Sequence, residues 1–337
     1  MATPIIKFRK NHRGEKNAGN EDKRDFSMLM KIIVWMIMVM ACSAYGQGIA
    51  QRYPHDVGIE NDPRVLLYEN FESVTQPVQL RKSNGGQWDW AGNLHTTRIA
   101  SEPGNFYAGR KALEMLLPIA SHEQQNVVLK RISPEEPVLY VRAYEKWDPG
   151  FSAIGHNGIR MSGDYPGAGS RPPRDGSGFF LFLLQNSKRT GSGYSGYSDI
   201  YAYWPLQRDE FGDHWYPDGL VVPGSDTCGN LGEWLCHPAL YPNFANMPNW
   251  QPLRGVWYCF EFMVKLNTLG QRNGEIAYWV NGQLKGRWTN LFIRSRDSLK
   301  IDTALLNLQS NKNLQRVQKK WYDSVVIARS YIGPINQ

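Results

Sequence analysis

The sequence predicts an all-β fold, a two-sheet antiparallel sandwich of the jelly-roll kind. Three observations predict it. Short apolar or alternating runs follow one another from Arg64 onwards. Gly, Pro, Asn and Asp break them repeatedly, and no long amphipathic helix or internal repeat interrupts the series. With 337 residues, 42% of them hydrophobic and 20% charged, the chain is long enough for one large β domain.

The first elements precede the sandwich. Residues 1–27 are polar and charged, and read as an N-terminal tail or the product of a start codon assigned too early. In "MLMKIIVWMIMVMACSAYGQ", Lys31 leads an apolar run from Ile32 to Ala41 that ends in small residues. That is the layout of a signal peptide over residues 28–46. An uncleaved membrane anchor is the alternative, and "VMAC", ending at Cys42, is an imperfect lipid-attachment signal. The run is shorter than the ~20 residues of a spanning helix. The expected location is secreted, periplasmic or cell-surface, with membrane contact only through an uncleaved leader or a lipid anchor. Residues 47–63 read as a mobile lead-in, and the sandwich as residues 64–337.

Within the sandwich, "RVLLYENFE" is the first strand. "KALEMLLPI", "QNVVLKRI", "LYVRAYEKW", "GFFLFLLQN" and "DIYAYWP" follow, and later "GVWYCFEFMVKLN", "GEIAYWVNGQLKGRW", "LKIDTALLNLQ" and "WYDSVVIARSYIG". Asn281-Gly282 between apolar residues is a hairpin signal, because both turn positions need positive φ. Residues 205–250 have little periodicity but carry Trp215, Tyr216, Trp234, Tyr241 and Trp250, and read as a long loop insertion packed over one rim. A disulfide between Cys228 and Cys236 would close a short loop there, whereas Cys259 reads as a buried free thiol. No cysteine or histidine spacing suits zinc.

The net charge of +7 is concentrated in the leader. The first 46 residues hold eight Lys/Arg and four Asp/Glu, leaving 30 basic and 27 acidic residues in the remainder. That balance excludes a nucleic-acid footprint. An acidic ligand must therefore be held by a local cluster. The strand "YVRAYEKW" offers one: Val141, Ala143, Glu145 and Trp147 share one face, and Tyr140, Arg142, Tyr144 and Lys146 the other. A solvated sheet face would look similar, but we read it as the floor of a cleft for an acidic polymer.

The final third carries a resemblance. Trp257–Thr268 is an aromatic strand with Glu running into a Lys-Leu-Asn-Thr turn. Gly274–Leu284 is a Gly-initiated strand ending in an "NG" hairpin, and Tyr322–Pro334 closes with "IGP". With "RKALEMLLP" and "LYVRAYEKWDPGF" upstream, these elements resemble polysaccharide lyase family 14, the alginate and glucuronan lyases, over about Leu66 to Pro334. The resemblance implies a concanavalin A-like jelly roll and a secreted lyase cleaving a uronate polysaccharide by β-elimination. One departure stands out. Where the family has a loop lysine, "SAIGHNGIRMSG" has none, and His156, Asn157 and Arg160 occupy that neighbourhood.

Elimination needs a cation at the uronate carboxylate, a base at C5 and an acid at the leaving oxygen, each proton transfer being worth ~10²–10⁴-fold. The candidates are Arg142 or Arg160 for the carboxylate, and His156, Tyr144, Tyr201 or Tyr203 as base and acid. Lys146, Asn157 and Glu261 are candidate substrate contacts. The chemistry calls for no cofactor. In the implied fold the first and last strands are neighbours, so Glu72 and Asp323 are candidate ligands for a structural calcium. Two alternatives remain open, a non-catalytic carbohydrate-binding jelly roll and a glycoside hydrolase of the same fold. The hydrolase would need two carboxyl groups ~5–5.5 Å apart, in an E-x-D-x-(x)-E strand that this sequence lacks.

Overall fold

The computed structural model describes residues 48–152, 155–186, 195–208, 210–222, 247–310 and 313–337. The expected tail and leader, and the Cys228–Cys236 pairing, lie outside the described residues. Among those described, no helix is long and apolar enough to cross a membrane.

The strands in chain order are β1 (Val65–Glu69), β2 (Trp90–Gly92), β3 (Thr97–Ala100), β4 (Ala112–Leu117), β5 (Gln124–Glu136), β6 (Val138–Trp147), β7 (Asn157–Gly163) and β8 (Phe180–Asn186). Then come β9 (Ser198–Tyr203), β10 (Asp213–Trp215), β11 (Val221–Val222), β12 (Tyr258–Lys265), β13 (Gly274–Val280), β14 (Gln283–Leu291), β15 (Ile301–Ser310) and β16 (Gln318–Ala328). They form two eight-stranded antiparallel sheets. Sheet I runs β14-β13-β12-β6-β16-β4-β3, with β1 also on β16, and sheet II runs β11-β10-β9-β8-β7-β15-β5-β2. The jelly-roll sandwich expected from the sequence is the observed fold.

Period-two alternation builds the core. Val141, Ala143 and Trp147 of β6, Phe260 and Phe262 of β12, Phe180 and Phe182 of β8 and Leu306 of β15 all enter one buried cluster between the sheets. One ion pair shares that interior. Lys320 Nζ lies 2.6 Å from Glu145 and 2.8 Å from the Asn157 carbonyl oxygen, under the Trp147 ring. The Asn281-Gly282 turn joins β13 to β14 with φ of 49° and 77°, as the sequence predicts.

Two expectations change. The lead-in is docked rather than mobile: Ile49, Ala50 and Ile59 are buried against Val326, Ala328 and Ile332, and the Ile49 and Ala50 N–H groups donate to Tyr331 and Ile332. Lead-in and C-terminal tail together cover the part of the outer face of sheet I formed by β1, β16, β6 and β12. The 205–250 segment contains β10 and β11, which extend sheet II, and its Trp215 joins the core. Short strands of two or three residues leave too little periodicity to be seen in sequence.

Candidate functional site

Inner-face residues are fixed by membership of the core, so their neighbours along each strand mark the outer faces. On sheet II, pairing aligns one outer row across seven strands. Trp90 on β2 stands opposite Leu129 on β5, which stands opposite Leu305 on β15. Leu305 is opposite Arg160 on β7, Arg160 opposite Leu183 on β8, Leu183 opposite Tyr201 on β9, and Tyr201 opposite His214 on β10. The polar groups cluster at the β7–β10 end.

Arg160 is the cation of this cluster. Its guanidinium lies 5.3 Å from the centre of the Tyr165 ring, and its Nε is buried without a hydrogen-bond acceptor. It makes no ion pair among the described residues. Burial pulls its pKa below the ordinary arginine value, opposed through space by Tyr165 and Asp302. An incoming carboxylate would supply the partner that this charge lacks.

Beside it is a run of hydrogen-bonding groups. Gln185 Oε1 accepts from the His156 backbone N–H at 2.8 Å and lies 3.2 Å from His156 Nδ1. The amide nitrogen of Gln185 points the other way, 3.5 Å from Asp199 Oδ2 and 3.3 Å from His214 Nδ1. Asp199 Oδ2 and His214 Nδ1 are 2.5 Å apart. The carboxylate therefore holds the proton on Nδ1, which assigns any proton-accepting role of His214 to Nε2. The Tyr201 ring lies between the two imidazoles, 4.6 Å from His156 and 4.9 Å from His214. Its hydroxyl donates to the Tyr203 oxygen at 3.3 Å and accepts from the Gly212 N–H at 3.1 Å. Burial, reinforced by Tyr203, pushes the Tyr201 phenol well above its usual pKa, so it stays protonated. Leu181, Leu183 and Phe179 pack with these tyrosines as an apolar floor.

Four of the predicted site residues meet here: His156, Arg160, Tyr201 and Tyr203. The others do not. Arg142, Tyr144, Lys146 and Glu261 lie on the outer face of sheet I, the first two and Glu261 under the lead-in or tail and Lys146 under the loop at residues 104–105. Arg142 is fully buried, ion-paired with Asp56, and donates to the Gly333 and Ser324 carbonyls at 3.1 Å each. Tyr144 stacks on Tyr107 at 3.7 Å and accepts the Ile335 N–H at 3.0 Å. Lys146 donates to Asn105 Oδ1 at 2.8 Å over the Trp321 ring. Glu261 accepts the Ile332 and Gly333 N–H groups at 2.7 and 2.8 Å, and burial pushes it up to about 7. The face expected to be a cleft floor is thus the anchorage of the chain ends. Asn157 turns into the interior, accepting from Trp147 Nε1 at 3.0 Å and donating to the Asn186 carbonyl at 3.0 Å.

Glu72 and Asp323 do sit together, and they clasp one loop. Glu72 accepts the Arg110 and Lys111 N–H groups at 2.6 and 2.8 Å, and Asp323 those of Tyr107 and Ala108 at 2.7 and 3.0 Å. No group of three or more metal-capable side chains occurs among the described residues. Sequence reasoning missed Gln185, Asp199, His214 and Tyr165. Strand parity could have found two of them, since Gln185 follows Leu183 by two residues and Asp199 precedes Tyr201 by two.

No family model matches this sequence, and no curated protein is similar to it in sequence. Solved structures do share the architecture. The alginate lyase Aly36B superposes with a TM-score of 0.51 at 14% identity, over 80% of this chain and 98% of its own. A mutant of that lyase in complex with alginate trisaccharide gives 0.53 at 14%, over 78% and 97%. A marine PL-14 alginate lyase from Aplysia kurodai gives 0.50 at 12%, over 79% and 99%. Likeness at this level is a likeness of fold.

Proposed function

We propose that the protein is a polysaccharide lyase that cleaves a uronate polymer of the alginate or glucuronan type by β-elimination on the outer face of sheet II. One observation carries the reading. A partly buried guanidinium without an ion-pair partner among the described residues, Arg160, stands in register with a phenol–imidazole pair oriented by Asp199. Arg160 and Tyr201 are two strands apart, about 10 Å between backbones, which leaves room for a sugar ring above Leu183.

In this reading Arg160 neutralises the uronate carboxylate and so acidifies the proton at C5. His214 Nε2 removes that proton, and the electron pair forms the C4–C5 double bond. The C4–O bond breaks, and the leaving oxygen takes its proton from the hydrogen-bonded Tyr201–Tyr203 pair. Gln185 couples His156 to the Asp199–His214 dyad and keeps both rings oriented. The folds of the alginate lyases above support the substrate class. The test is ultraviolet absorbance of the new conjugated double bond during incubation with alginate and with glucuronan. A rise that Arg160→Ala lowers by about 10²–10³-fold supports the assignment. Absence of any rise, with retained binding to one polymer, would make this a carbohydrate-binding jelly roll instead.

A further inference from the structure

The row that holds Arg160, Tyr201 and His214 continues past the catalytic cluster to the far edge of sheet II, where it ends in Trp90. This tryptophan is unlike the other indoles of β2–β16: it is 48% exposed and makes no ring contact or hydrogen bond among the described residues. Its orientation is set by Gly92, two residues on and on the same face. A Cβ at Gly92 would lie 2.3 Å from the end of the Trp90 ring. The indole therefore lies along the sheet over Gly92, with one broad face turned outward.

A cation shares this outer face on the neighbouring strand. Arg131 shares the outer face of β5 with Leu129, the residue opposite Trp90, and is the next outward-facing position along the strand. Its side chain is exposed and has no hydrogen bond or ion pair among the described residues. The nearby carboxylate, Asp89, is already engaged, by Lys82 Nζ at 2.7 Å and by the Arg131 backbone N–H at 2.7 Å. It leaves the Arg131 guanidinium available. A flat apolar ring and a guanidinium on adjacent strands of one face suit an acidic polysaccharide: the ring stacks on a sugar's C–H face, and the cation meets a carboxylate.

We infer that Trp90 and Arg131 form a distal uronate subsite, which binds the polymer remote from the bond that is cut. The inference rests on the lyase reading for the direction of the chain. Arg160 is three strand spacings from Trp90, about 14 Å, the span of roughly three linked pyranoses. A chain laid along the transverse row would place one carboxylate on Arg160 and another on Arg131. Binding energy collected at this edge holds the polymer across the site without taking part in the chemistry.

The test is electrophoresis of the folded protein through gels containing alginate, glucuronan or a neutral glucan, with thermal melts confirming that each variant folds. The native protein should be retarded by one of the two polyuronates and not by the glucan. Trp90→Ala and Arg131→Gln should each weaken that retardation about tenfold, the equivalent of about 1.4 kcal/mol. Gly92→Ala should weaken it as well, because it keeps the indole but lifts it off the sheet. Retardation that is strong in the native protein and unchanged in all three variants would overturn the subsite and leave the lyase reading standing. No retardation of the native protein by either polyuronate would overturn both.

Discussion

The outer faces of the two sheets carry the same residue types and have opposite fates. Each presents an arginine beside a tyrosine: Arg142 with Tyr144 on sheet I, and Arg160 with Tyr165, whose ring in turn meets Tyr203, on sheet II. On sheet I the lead-in brings Asp56 onto the guanidinium, and the tail caps the neighbouring groups with backbone N–H donors. On sheet II no acid reaches ion-pairing distance of Arg160 among the described residues. The difference lies in what covers the strand, not in the strand itself. A cation matched by a buried carboxylate is structural, and one left without a match is available to a ligand.

Exchanging the two arginines for alanine should therefore give crossed results, and these are the largest effects expected. Arg142→Ala leaves Asp56 buried and uncompensated and should destabilise the fold by about 3–5 kcal/mol, read by denaturant melts. Arg160→Ala removes a charge that has no ion pair to lose and should leave the melt nearly in place while turnover collapses. Turnover lost with Arg142→Ala in a protein still folded, and retained with Arg160→Ala, would reverse the assignment of the faces. Next in size is Asp199→Asn. It releases the His214 tautomer and should lower kcat by about 10²-fold or more, with a smaller change in KM. A variant that raised KM alone would make the dyad a binding element rather than a proton carrier.

The fold was legible because its signals are local. Alternation in β6, β8 and β12 and the Asn281-Gly282 turn each report on their own few residues. Parity was legible too, for the two faces of β6 divide as the sequence implies, Glu145 included, whose interior place beside Val141, Ala143 and Trp147 depends on its ion pair with Lys320. Which face stays accessible was not legible. It depends on Asp56 lying 86 positions before Arg142 in the chain, and on a tail that folds back over Glu261. His214 escaped notice because β10 is three residues long within a Pro- and Gly-rich stretch. The row from Trp90 to His214 exists only through strand pairing.

The covered face should also show itself in pH dependence. Burial raises Glu261 from 4.5 to about 7, so between those values the native state holds a proton that the unfolded chain has released. Its contribution to stability is greatest below pH 4.5 and is lost as pH rises towards about 7. Melts across that range should show the decline, and Glu261→Gln should flatten it. Asp323, pushed up to about 7 by burial, leaves a residual slope of the same sign. A slope unchanged by Glu261→Gln would mean that this carboxyl is not the buried group titrating beneath the tail.

The smallest effect concerns the hairpin under the tail. Gly282 has a φ of 77°, and a Cβ there would lie 3.1 Å from Pro334 Cγ. Gly282→Ala imposes a left-handed backbone on an L side chain and crowds the tail, at a cost of about 1 kcal/mol. For a domain of this size that corresponds to a fall of about 2 °C in Tm. On the proposed function turnover should not move, because the turn supports sheet I and the groups proposed to act on the polymer are all on sheet II. Scanning calorimetry and the absorbance assay on one preparation would separate the two. A loss of turnover larger than the loss of stability explains would show that the covered face is coupled to the chemistry across the core. The path for such coupling is present, since Lys320 reaches from β16 through the interior to the carbonyl of Asn157, the residue after His156. Unchanged turnover would make the two outer faces independent, one holding the chain ends in place and the other free to bind and cut.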